Sequence, residues 1–130
     1  MINLALRSEF SFKKVFAPIK RLVAHGNPSI VGVADHNNTF AHVLLEKECK
    51  DKDIKPIFGV RLEVIEDRHL KSRGVFGPVY TFIAKDEYGL HEINNLTKIA
   101  WDNFYYKPMI TWSDVFNLSQ SVFVIAENFQ

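Results

Sequence analysis

"SIVGVADHNNTF", residues 29–40, is a compact apolar run that closes on an acid and a histidine. A continuous run of this length, bounded by polar turn residues, reads as a strand covered on both faces. Asn37 and Asn38 turn the chain, and "TFAHVLLEKECKDKD" (39–53) continues at helical spacing. Ala41, Leu44, Leu45, Glu48 and Cys49 share its apolar stripe, and Glu46 stands four residues before Lys50. Strand, turn and helix make one βα unit. Asp35 and His36 then sit at the C-terminal end of a strand, where α/β sheets gather ligands and catalytic groups. An Asp-His pair in that place can begin a metal site, provided other ligands converge on it.

The same pattern recurs along the chain. "INLALR" (2–7) alternates strictly, with Ile2, Leu4 and Leu6 on one side. "APIKRLVAHG" (17–26) is a short helix with Pro18 in its first turn and Gly26 as a stop. "KPIFGVRLEVIE" (55–66) reads as a strand bent at Gly59, and "VYTFIAK" (79–85) as another. "EYGLHEINNLTKIAWDN" (87–103) places Leu90, Ile93, Leu96, Ala100 and Trp101 at helical spacing. "TWSDVFNLS" (111–119) reads as a short helix, "SVFVIAE" (121–127) as a fifth strand, and "DRHLKSRGVFG" (67–77) as an exposed loop. Alternating strands and helices predict one α/β domain over 1–130, with a mostly parallel sheet of about five strands and helices outside. The strand ends expected at the functional edge are Arg7-Ser8, Asp35-His36, Arg61 to Glu63, Lys85-Asp86 and Glu127-Asn128.

Composition excludes several function classes. At 47% apolar and 24% charged, the chain can build a core and stay soluble. A net charge of +1 gives no whole-molecule attraction to nucleic acid or an anionic membrane. No run approaches the roughly 20 apolar residues that span a bilayer, and no secretory pattern opens the chain. The single Cys49 rules out an internal disulfide and suits a reducing compartment. Cytoplasmic residence is the expectation. Cys49 reads as a buried helix residue, and His25, His42, His69 and His91 as surface or helix residues without ligand-like spacing.

Taken in order, "INLALRSEFS", "VGVADHNNTF", "DIKPIFGVRLEV", "YTFIAKDEYGLHEINNLTKIA", "DNFYYKP" and "SVFVIAEN" resemble the PHP (polymerase and histidinol phosphatase) domain that opens bacterial DNA polymerase III alpha subunits. "IKPIFG", "AKDEYG" and "FYYKP" look like the replicative-polymerase branch. The resemblance implies a distorted seven-stranded β/α barrel, of which this chain would form a partial (β/α) barrel of PHP type. Active members bind three metal ions (zinc, manganese or iron) and hydrolyse phosphoesters. Others have lost the site and support the polymerase or contact its proofreading exonuclease.

Position by position, the resemblance implies a site mostly gone. The His-x-His pair of active members falls on Ala5 and Arg7, and the following ligand on Lys14. Asp35 and His36 are kept. The glutamate of the third strand falls on Arg61, with Glu63 two residues on. The histidine opening the fourth falls on Val79, and the cysteine closing the fifth on Asn128. Ala5 and Val79 have no lone pair to offer. Arg7, Lys14 and Arg61 place fixed positive charge where a dication would sit, each opposing it by several kcal/mol at roughly 4 Å and an effective dielectric near 20. No cofactor is expected.

The leading expectation is therefore a catalytically degenerate PHP-like module in DNA replication, binding or scaffolding a protein partner: a second copy, a polymerase or an exonuclease subunit. Two rival readings stand beside it. One is a residual metal-dependent phosphoesterase using Asp35, His36 and Glu63, completed by a partner. The other is an anion- or nucleic-acid-binding module working through Arg7, Lys14 and Arg61. Ion pairs of Arg7 or Arg61 with Asp35 or Glu63 are expected in place of metals. "NFYYKP" reads as a packed loop, and Trp101 and Trp112 as core or interface anchors. An open parallel sheet leaves an unpaired edge, so a lone monomer is not expected. Val122, Phe123, Val124, Ile125 and Phe129 are the interface candidates, with Ala5 and Val79 on the uncovered interior. The chain reads as a small standalone descendant, of viral type, or as one piece of a split polymerase.

Overall fold

The computed structural model describes residues 2–11, 18–24, 28–66 and 77–126. The elements in chain order are β1 (Ile2–Leu6), α1 (Ile19–Ala24), β2 (Ile30–His36), α2 (His42–Asp51), β3 (Lys55–Ile65), β4 (Val79–Ala84), α3 (Glu87–Asp102), β5 (Ile110–Thr111), α4 (Trp112–Phe116) and β6 (Val122–Ala126). The fold is mixed α/β. Among the described residues, six strands form an open sheet in the order β1-β2-β3-β4-β6, with β5 paired to the far end of β3.

β1, β2 and β3 run parallel, with Ile30–His36 facing Lys55–Arg61 in unbroken register. β5 joins β3 in the same direction. β4 is the exception: it lies antiparallel to β3, with Gly59 opposite Ile83 and Glu63 opposite Val79. β6 is antiparallel to β4 and so shares the direction of β1–β3. The expected chain of βα units is corrected here, both in the sixth strand and in the β3–β4 connection. The physical reason lies in the connection: a parallel neighbour needs a crossover of a dozen or more residues, usually a helix, and no helical pattern lies between Glu66 and Val79. One consequence is that Lys85-Asp86 follows the reversed strand, so it sits at the opposite edge from Asp35-His36.

The helices pack on one face. Val31 and Val33 bury against Ile19 and Val23 of α1 and Ala41, Leu45 and Cys49 around α2. Val60, Leu62, Val64, Phe82 and Ala84 bury against Ile93, Leu96 and Ala100 of α3, with Ile110, Val115 and Val122. Phe58 packs against both clusters. Strand alternation then sends His36, Gly59, Arg61, Glu63, Thr81, Ile83, Phe123 and Ile125 to the other face. Gly59 is required there: an added Cβ would stand 2.9 Å from the Phe82 carbonyl oxygen and 3.1 Å from the Ala34 Cβ.

α2 buries Ala41, Leu45 and Cys49 as expected, while Leu44 is exposed. α3 begins at Asp86, whose carboxylate accepts from the Gly89 N–H at 2.8 Å. Its apolar stripe runs through Ile93, Leu96 and Ala100. Trp101, however, is half exposed and stacks on Phe104 at 5.8 Å. α4 starts with a capping box between Thr111 and Asp114.

Candidate functional site

The C-terminal ends of β1, β2 and β3 lie side by side, and the turn after β1 closes over them. Asp35 is 2% exposed. Its carboxylate accepts from the Ser8 N–H at 2.6 Å, the Ser8 hydroxyl at 2.5 Å and the Ser11 hydroxyl at 2.7 Å. Ser11 Oγ in turn accepts from the His36 N–H at 3.1 Å, and Ser8 Oγ from the Phe10 N–H at 3.1 Å. A buried carboxylate with three donors is a charge-assisted anchor. Asp35 thus organises the turn after β1. The sequence placed Ser8 at a strand end of the functional edge without giving it a role and did not single out Ser11, although hydroxyls just past a strand end regularly bond nearby polar groups.

The next turn is built by amides. Asn37 adopts φ 67°, a left-handed conformation that asparagine tolerates. Its N–H donates to the Arg61 carbonyl at 2.8 Å. The Asn38 side chain donates to the Phe10 and His36 carbonyls and accepts from the Phe40 N–H. Trp101 Nε1 donates to the Asn37 carbonyl at 2.7 Å, tying the end of α3 to the same rim.

Arg61 is 7% exposed and lies across three strand ends. Its Nη1 donates to the Ala34 carbonyl and its Nη2 to the Ala5 carbonyl at 2.7 Å. One guanidinium from β3 therefore bonds β1 and β2. Its register neighbours are His36 on β2 and Thr81 on β4. Arg7, half buried, follows β1. Glu63 accepts from the Gly77 N–H at 2.6 Å and pairs with Lys107 Nζ at 2.8 Å. The cation at Glu63 comes from the "FYYKP" segment, a partner that sequence separation concealed. Val79 opens β4 directly opposite Glu63.

His42 is a second residue the sequence understated. Its position three residues before Leu45 and seven before Cys49 puts it on the sheet-facing stripe of α2. The ring sits 5.1 Å from Phe58, and Nε2 lies 2.9 Å from the Gly59 carbonyl oxygen. Burial lowers its pKa below 6.5, against the raising effects of the Gly59 carbonyl and the Asp35 charge. Cys49 is fully buried, and burial raises its thiol pKa.

Among the described residues, the donor set does not fit the three-metal centre that the resemblance implies. Such ions need several N, O or S ligands converging on one point. Among the described residues, no three His, Cys, Asp or Glu side chains come together in that way. Asp35 is committed to the serines, the side chains of Ala5 and Val79 carry no ligand atom, and the Arg61 guanidinium donates to the Ala5 carbonyl. Of the interface candidates, Val122 is buried in the α3 core, while Phe123, Val124 and Ile125 are exposed. Lys14, Asn128 and Phe129, like His25 and His69, lie outside the described residues.

Comparison with known proteins places this geometry. The chain is 29% identical over 129 residues to the DNA polymerase III alpha subunit of Borreliella burgdorferi, an alignment covering 93% of this chain and 11% of that protein. It is 30% identical to the alpha subunits of Aquifex aeolicus and Chlamydia trachomatis, covering 85% and 84% of this chain and 11% and 10% of those proteins. The chain thus spans about a tenth of the length of these relatives. Among solved structures, an amidohydrolase from Chromobacterium violaceum superposes with a TM-score of 0.56 at 16% identity, over 78% of this chain and 33% of that one, a likeness of fold. The family profile described as the PHP domain matches residues 3–129. This chain belongs to the PHP domain family.

Proposed function

We propose that this chain is a PHP domain that no longer catalyses phosphoester hydrolysis and acts as a binding or scaffold module in DNA replication, in the cytoplasm. The observation carrying the reading is the Arg61 side chain. A buried guanidinium bonded to the Ala34 and Ala5 carbonyls sets a fixed positive charge among the strand ends where active members gather cations. It takes over by hydrogen bonding the strand-tying part that metal–ligand bonds would play. The relatives' names support the replication setting, and the open sheet supports a partial barrel whose uncovered face meets a protein partner: a polymerase, an exonuclease subunit or a second copy. The anion-binding reading has less support, because both Arg61 Nη atoms donate to backbone carbonyls.

The test is metal content and hydrolysis together. Protein purified without chelator is expected to hold no stoichiometric zinc, manganese or iron, and to cleave neither phosphomonoesters nor phosphodiesters with manganese or zinc added. One metal per chain, with hydrolysis lost in His36→Ala, overturns the proposal.

A further inference from the structure

The segment "NFYYKP" does not pack as the sequence predicts. Phe104, Tyr105 and Tyr106 are exposed, and so is Trp101 just before them. Trp101 and Phe104 stack with ring planes 4° apart. A hollow of about 640 Å³ opens beside Trp101, within the roughly 300–1,000 Å³ of small-ligand sites. Phe40, 61% exposed, lines it from the turn before α2, and Trp101, 48% exposed, from the last turn of α3. Asn94, Lys98 and Trp101 follow one helical stripe along it, with Thr39 in the opposite wall.

Both rings are held in place before any ligand arrives. Trp101 Nε1 donates to the Asn37 carbonyl at 2.7 Å, which fixes the indole on the rim. Phe40 meets the Phe10 ring edge-on at 6.3 Å, and its N–H donates to Asn38 Oδ1 at 3.2 Å. Tyr106 has φ 63°, a left-handed backbone that bulky residues rarely adopt and that concentrates at ligand-binding sites. Lys107, paired with Glu63, pins the next residue to the β3 end. Rings already in position lower the cost of binding. The groups around them suit an unpaired base. The ring faces stack, the Asn94 amide and Thr39 hydroxyl offer donors and acceptors to a base edge, and Lys98 supplies a cation for the adjoining phosphate. Lys98 meets Asp102 at 2.7 Å, but both are exposed, so a phosphate displaces that carboxylate at little cost. An apolar protein surface would strip water from the amide, hydroxyl and ammonium without replacing it. A duplex keeps its base faces covered in its own stack.

We infer that this rim binds single-stranded nucleic acid: one unpaired base stacks against Phe40 and Trp101, its phosphate meets Lys98, and the strand runs on toward Tyr105 and Tyr106. The inference deepens the replication-module reading and rests on it for the setting. Its test reads base binding rather than metal or hydrolysis, so the two fail separately.

The experiment is fluorescence anisotropy of a labelled ten-nucleotide dT strand on the full chain, with tryptophan emission read in parallel. The strand is expected to bind and to quench Trp101. Trp112, packed against Tyr80 at 5.1 Å, is the other tryptophan, and Trp112→Phe should keep the quench. Phe40→Ala and Trp101→Ala are each expected to weaken binding about 5- to 100-fold, the range for one base–aromatic stack. Log affinity should fall with log salt at a slope of about −0.7, one single-strand phosphate, and Lys98→Gln should flatten it. An abasic strand of the same length, a duplex and dTMP are each expected to bind more weakly than the dT strand. Circular dichroism melts check folding; if Trp101→Ala unfolds, Phe40→Ala carries the same expectation. Absence of dT binding, equal binding of the abasic strand, the duplex or dTMP, or an affinity untouched by Phe40→Ala each overturns the inference.

Discussion

Asp35 is the anchor of the turn after β1. Its two oxygens take three donors from Ser8 and Ser11. Asp35→Ala would strand those buried donors, and hydrogen bonds to a charged group contribute about 1.5–3 kcal/mol each without adding simply. A loss of several kcal/mol in urea unfolding is expected, with Ser11→Ala losing less. Lys107→Met should cost about 1–3 kcal/mol, since Glu63 would keep the Gly77 N–H but lose its cation. His42 gives a pH dependence with a definite sign. Its pKa is depressed in the folded protein by burial. The unfolded chain therefore binds the proton more readily, and stability falls as pH drops below about 6.5 toward the folded value. Above that range the contribution is fully present. Denaturation midpoints between pH 7.5 and 5 should fall in the parent and fall less in His42→Gln; identical slopes would contradict the assignment.

At the level of elements, α3 and β6 meet through Gly89. A Cβ there would stand 2.1 Å from the Ser121 carbonyl oxygen. Helix propensity alone favours alanine over glycine by roughly 1 kcal/mol in a helix interior. Close backbone contact reverses the sign, so Gly89→Ala is expected to destabilise by about 1–3 kcal/mol, the range for overpacking. Chemical denaturation decides between the two directions. Asp86 supports the same junction, capping Gly89 and accepting from the Ser121 hydroxyl at 3.1 Å. Most elements were legible as periodic runs, because the helix-facing strand residues and the α3 stripe carry the core. β5 was not. Two residues hold no period, and Ile110 and Thr111 become a strand only because Val64 and Ile65 lie beside them.

For the whole molecule, metal linkage is the decisive measurement. A ligand that binds only the folded state stabilises it by RT ln(1 + [L]/Kd), about 4 kcal/mol at a thousandfold excess over Kd. A working centre would thus raise the melting temperature by many degrees in millimolar manganese or zinc. No such shift is expected here, because the Arg61 guanidinium occupies the strand ends. The described residues hold no helix long and apolar enough to cross a membrane. The helices lie on one face of the sheet, and the opposite face carries Arg61 and Glu63 at one end and an apolar groove at the other.

Local chemistry set the element types, the family and the Asp35-His36 turn, because apolar period, turn residues and strand-end motifs are encoded within a few positions. The direction of β4 was also readable in principle, since no apolar helical period stands in the sequence between Glu66 and Val79. What surrounds each side chain was not. Ser8 and Ser11 reach Asp35 from 27 and 24 residues away. Lys107 reaches Glu63 across 44 residues, and Arg61 reaches the Ala5 carbonyl across 56. Those partners exist only once the strands are in register, since no local pattern relates positions that far apart. Tertiary structure alone decided that Asp35 is an anchor and that Arg61 bridges three strands.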